Sequence, residues 1–154
     1  MFQQRPATEF LSLWITMAGM ASLLVIYIAS CHFFAEQLQQ IGLAPDQLEL
    51  ARTVFYVLAI VLFPLTNLIR FILLRLNQTM PGEDASQKRY AVTVLVSLVL
   101  IESTGVFGMV MFMLGDGMNT LYIFTGLAAL GLYVHRPKQD ELLTIILARQ
   151  NQPD

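Results

Sequence analysis

Residues 90–114 read YAVTVLVSLVLIESTGVFGMVMFML, an apolar run that carries a single charge, Glu102, near its midpoint. A helix that crosses a hydrocarbon core needs roughly 17 to 25 predominantly apolar residues. With no water there to satisfy backbone groups, helix is the conformation such a run must take. A charged side chain at that depth costs roughly 2.5 to 3.5 kcal/mol even on insertion scales, which makes Glu102 a functional-site candidate by default.

Three further runs have similar character, at 10–34, 53–69 and 118–134. Of the 154 residues, 56% are hydrophobic and 13% charged, and the mean hydropathy is +0.61. Soluble domains carry about 25% charged residues. The expected architecture is an all-α integral membrane protein of one domain, 1–154, with four transmembrane helices and a short C-terminal interfacial helix. Run 53–69 continues through Arg70 and Arg75, whose guanidiniums are expected to snorkel to the headgroups.

Lys and Arg set the orientation, because positive charge is retained on the cytoplasmic side. The N-terminus, the 70–89 connection and the C-terminal tail hold Arg5, Arg70, Arg75, Lys88, Arg89, Arg136, Lys138 and Arg149, and the other side holds only Arg52. Both termini are therefore expected in the cytoplasm, with the chain in an inner (cytoplasmic) membrane. Trp14, Tyr90 and Tyr133 fall near the inner interface and Tyr56 and Tyr122 near the outer, as amphipathic rings prefer.

Punctuation places the connections. Gly42, Pro45, Asp46 and Glu49 suggest a helix start with Asp46 and Glu49 as a capping box. The 79–87 segment, with Pro81, Gly82 and Ser86, reads as a flexible polar connector capped by Ser86. Gly115-Asp116-Gly117 allows only a tight turn, so runs three and four must be antiparallel neighbours. In the tail, 140–149, apolar residues recur at helical spacing. This predicts a helix along the inner interface with Leu142, Leu143, Ile146 and Leu147 toward lipid or the bundle.

Around Glu102 the chain supplies Ser103, Thr104 and Gly105, with Gly108 next at helical spacing. Run two brings Pro64, Thr66 and Asn67; counting inward from each cytoplasmic end puts Pro64 at nearly the depth of Glu102 and Asn67 somewhat nearer the cytoplasm. Proline frees the carbonyl of Ile60, so a carboxyl pocket between runs two and three, with Pro64, Thr66, Asn67, Ser103 and Gly105 as neighbours, is the geometric expectation. Small faces at Ala18/Ser22, Gly105/Gly108 and Gly126/Ala129 would let helices approach closely. They exceed what a four-helix monomer needs, so a homo-oligomer or a place in a larger membrane complex is expected.

Other chemistry finds little support. There is no nucleophile elbow, phosphate loop or paired carboxylate, so no enzyme is expected. His32 and His135 fall at opposite membrane faces, and neither has a second ligand at metal-site spacing; both read as interfacial residues, and no metal or cofactor is expected. Cys31 is the sole cysteine. Although Ile28-Ala29-Ser30-Cys31 resembles a lipoprotein cleavage box, the preceding apolar run is longer than a signal h-region of roughly 7 to 15 residues. Cys31 therefore reads as a small apolar side chain near the outer face. The glycosylation-like triplet Asn77-Gln78-Thr79 lies on the inner side. The expected environment is the lipid bilayer, with no nucleic acid.

Arg89-Tyr90, an apolar stretch into Leu100-Ile101-Glu102, and then Phe107-Gly108-Met109-Val110 resemble the carboxylate-bearing helix of proteolipid subunit c of rotary ATP synthases and ATPases. The resemblance covers one helix, 89–114. It implies that Glu102 binds a transported proton or sodium ion. The family's other helix is glycine-rich, whereas run 53–69 has no glycine and carries Pro64.

Two functions follow as expectations. One is a non-catalytic small membrane subunit or assembly and interaction protein in which a buried, protonated Glu102 joins helices. The alternative is a proteolipid-like subunit that uses Glu102 to bind and translocate a proton or cation.

Overall fold

The computed structural model describes residues 5–39, 41–79 and 86–150, with the side chains of 5–9, 149 and 150 outside that description. The 80–85 part of the polar connector, with Pro81 and Gly82, also falls outside it. Six helices follow in order: α1 (Arg5–Phe33), α2 (Ala35–Leu38), α3 (Pro45–Thr79), α4 (Ser86–Met113), α5 (Met118–Val134) and α6 (Gln139–Gln150), and no strand occurs among the described residues. Three of them, α1, α3 and α4, are long and apolar enough to cross a membrane, while α5 is a shorter apolar helix.

α4 is the axis of the bundle. Half of its apolar stretch is buried, against 11% for α1 and 17% for α3, because α1, α3, α5 and α6 all pack on it. Glycine makes its seam with α5 close. A Cβ at Gly108 would stand 2.8 Å from the Cβ of Phe124 and 3.2 Å from the carbonyl oxygen of Leu121, and one at Gly131 would meet Ile101. Ala18, Ser22, Gly126 and Ala129 are exposed, and a Cβ at Gly126 would meet nothing within 4 Å. Gly105 and Gly108 thus serve contacts inside the bundle, and the other two small faces point outward. Broad apolar faces of α1 and α3, including Ile15, Val25, Ile60 and Phe71, are also exposed, and suit contact with lipid.

The turn between α4 and α5 closes α4 with a Schellman motif. Gly115 takes φ +101°, its N–H donates to the carbonyl of Phe112, and the N–H of Asp116 donates to that of Met111, the pairing that satisfies carbonyls at a helix end. Leu43 donates to the carbonyl of Leu114, so the chain entering α3 is pinned on this turn. α3 begins two residues earlier than a capping box at Asp46 would place it. The carbonyl of Ala44 accepts from Leu48, which makes Ala44 the N-cap and puts Pro45 at the first helical position, where its missing N–H costs nothing. Asp46 lies within the first turn, where its charge complements the helix dipole. α3 then runs unbroken through Pro64.

α6 is a helix, as the tail's apolar spacing predicts, but it turns a different face to the bundle. Leu142 and Ile145 are buried in the main core and Ile146 packs against it, while Leu143 and Leu147 stay exposed. Apolar side chains on both sides of one short helix fit a position between the bundle and lipid.

Candidate functional site

Glu102 projects from α4 toward α1. One turn along the helix, Gly105 lies against Leu24 and Tyr27 of α1 and Ala128 of α5, so the three helices meet where the carboxyl sits. The side chain is 7% exposed, and neither carboxyl oxygen has a hydrogen-bond partner. The Tyr27 hydroxyl is the polar group that interacts with it, without reaching hydrogen-bond geometry.

The expected neighbours from run two serve elsewhere. Pro64 is exposed. Thr66 donates to the carbonyl of Leu62 at 2.7 Å, and the Asn67 amide lies 3.0 Å from Nε2 of His135. Ser103 bonds its own helix, donating to Val99 at 3.0 Å. Of the residues expected around Glu102, only Gly105 shares its surroundings, and the facing side chain is Tyr27 of α1. Thr104 and Thr125 also carry buried hydroxyls without partners.

The other buried ionisable groups are closed into networks at the two ends of the bundle. At the end that bears α6, Arg70 is 6% exposed and does not snorkel. It donates to the carbonyls of His135 (2.8 Å) and Arg136 (3.3 Å) and to Glu141 (2.7 Å). Tyr90 is likewise buried within the bundle; its hydroxyl accepts from the N–H of Lys138 at 2.7 Å and donates to the carbonyl of Lys138 at 2.8 Å. Asn77 donates to the carbonyl of Arg89 and to Thr93, tying α3 to α4.

His135 is also buried, with Nδ1 2.9 Å from the carbonyl of Gly131. Burial pushes its imidazole below the ordinary value, and the Arg70 and Lys138 charges add to this against the raising effects of the Gly131 carbonyl and Glu141. The atom facing Nε2 is the Asn67 Oδ1, so the ring lies between two acceptor oxygens, and a neutral imidazole donates to one of them according to its tautomer.

At the far end, Asp116 is 4% exposed. It accepts two hydrogen bonds from Arg52, at 2.7 and 2.9 Å, and one from the N–H of Gly117, while Gln39 donates to its backbone carbonyl. Burial alone would raise the Asp116 carboxyl, but the Arg52 hydrogen bonds and those of Gly117 and Thr120, with the Arg52 charge, hold it below its ordinary value. The sign follows. A depressed folded-state value gives stability that is present above the unfolded value and lost as pH falls through the folded one. Asp116→Asn is therefore expected to flatten the acid limb of a melting-temperature profile, and an unchanged limb would refute this. The sequence signal was Arg52 itself, the one Lys or Arg between Arg5 and Arg70.

No group of three or more His, Cys, Asp or Glu that could hold a metal occurs among the described residues. Cys31 is buried against Phe112 and Leu121. Comparison of the chain with protein-family models, curated proteins and solved structures returned no match in any of the three.

Proposed function

We propose that the chain is a non-catalytic small membrane subunit, acting in assembly or interaction, whose Glu102 stays protonated at the junction of α1, α4 and α5. The observation that carries this reading is that Glu102 faces a phenol and no cation, whereas Arg70 and Asp116 are both ion-paired. A carboxyl withdrawn from water without a cation is favoured in its neutral form. Infrared spectroscopy of the protein in lipid should then show a protonated-carboxyl stretch at neutral pH that is absent in Glu102→Gln. That variant should assemble normally. Glu102→Lys should assemble poorly, because Lys near a helix centre costs roughly 2.5 to 3.5 kcal/mol. A carboxylate signal alone at neutral pH would overturn the reading.

Reversible binding of a proton or cation is the second reading. It is favoured by the lack of a hydrogen-bond partner on either oxygen, since Glu102 can change charge without breaking an existing bond. A carboxyl band that disappears as the pH is raised through the physiological range would favour it over the first.

The outward faces at Ala18/Ser22 and Gly126/Ala129 support a homo-oligomer or a larger membrane complex. The distribution of Lys and Arg supports four crossings of an inner membrane with both termini cytoplasmic. A cysteine introduced at Asp84 should resist an impermeant reagent in intact cells; labelling from outside would invert the orientation.

A further inference from the structure

A groove of about 350 Å³ runs between α1 and α5. Leu24 and Thr125, both buried, form its floor, and the exposed residues Ala21, Tyr122, Gly126 and Ala129 its sides. Among the described residues no charged side chain lines it. Thr16, Ser22, Thr66, Thr93, Ser97 and Ser103 each donate a hydroxyl to the carbonyl four residues back in their own helix, the usual bond of a helical Ser or Thr. Thr125 departs from this. Its side chain is 6% exposed, and its hydroxyl bonds neither that carbonyl nor any other group. A buried hydroxyl without a partner is destabilising until one is supplied. Space for one is kept by Gly126, where even a Cβ would meet nothing within 4 Å.

Depth selects the occupant. Thr125 lies seven positions after Met118 and nine before Val134, which is about 10 Å and about 14 Å from the two ends of α5 at about 1.5 Å per residue. A phospholipid headgroup does not reach that far into the hydrocarbon, and a charged ligand would find no counter-charge in the groove. The complement is a neutral, lipid-soluble molecule that brings one hydrogen-bond acceptor on an apolar body. Small-molecule sites of roughly 300 to 1,000 Å³ have the same make-up, apolar walls with a few placed polar groups. We propose that the groove binds a neutral prenylated quinone. One ring carbonyl accepts from Thr125, the ring lies over Gly126 beside Tyr122, where aromatic planes attract one another, and the tail leaves into lipid. The inference rests on the membrane reading, but not on the role of Glu102.

Photolabelling of the full chain in phosphatidylcholine vesicles by an azido-substituted decylbenzoquinone, mapped by peptide mass spectrometry, tests this. The label should fall on α1 and α5 at the groove. Unlabelled decylbenzoquinone should protect at about one fifth of the bilayer concentration that decylbenzene needs, the factor for one hydrogen bond between neutral groups. Thr125→Val should make the two competitors equal, and Thr125→Ser should keep the difference. Gly126→Leu, which fills the groove, should abolish labelling in a protein that keeps its helical content. Label spread over the apolar faces of α1 and α3, equal protection in the unmodified protein, or a difference that survives Thr125→Val would overturn the proposal. So would a Gly126→Cys cross-link between two copies that the quinone does not disturb, since it gives the groove to a second copy. A chain that fails to float with the vesicles removes the membrane reading, whereas lost selectivity in a chain that floats overturns this proposal alone.

Discussion

Glu141→Ala is expected to lower the unfolding free energy by about 3 kcal/mol, the low end of the cost of breaking a buried pair by removing one partner. Arg70 would keep its carbonyl acceptors at His135 and Arg136 but lose its carboxylate partner, 2.7 Å away. Because α6 packs on α3 and α4, the same substitution should expose the 139–150 segment to protease. Denaturant unfolding in detergent measures the first effect and limited proteolysis the second. Glu141→Gln, which retains an acceptor, should fall between the two. A loss under about 1 kcal/mol, the scale of an exposed ion pair, would show that the carbonyls alone satisfy Arg70.

Gly108→Val is expected to cost about 3 kcal/mol, the upper end of the usual overpacking penalty, and to loosen α5 from α4. The added Cβ would lie 2.8 Å from the Cβ of Phe124 and 3.2 Å from a backbone oxygen, atoms that yield only if the two helices separate. Gly126→Ala is the internal control, since a Cβ there meets nothing within 4 Å. If the two variants melt alike, the close α4–α5 approach is not what holds this seam.

The apolar runs made the helices legible, and Gly115-Asp116-Gly117 made the antiparallel pairing of α4 and α5 legible, because both depend on local composition and length. The surroundings of Glu102 were not. Counting residues from a helix end fixes height in the bundle but not direction around the axis, so Pro64 matched Glu102 in depth while Tyr27 faced it. Arg70 was misread for a related reason. A snorkelling arginine and a buried one have the same sequence signature when the acceptors are backbone carbonyls, and only the docking of α6 tells them apart. The burial of Tyr90 and His135 was not legible for the same reason. The face of α6 was ambiguous because Leu143 and Leu147 are as apolar as Leu142 and Ile145.

The pairing of Arg70 with Glu141 also dictates an order of events during biogenesis. The two residues lie 71 positions apart, so at synthesis rates of about 5–20 residues per second, α3 waits on the order of ten seconds for its counter-charge. Through that interval its guanidinium has neither Glu141 nor the carbonyls of His135 and Arg136 to bind. Arg70 therefore gains its full set of partners only when α6 has been made, so an uncovered Arg70 is the chemical mark by which an unfinished copy differs from a finished one.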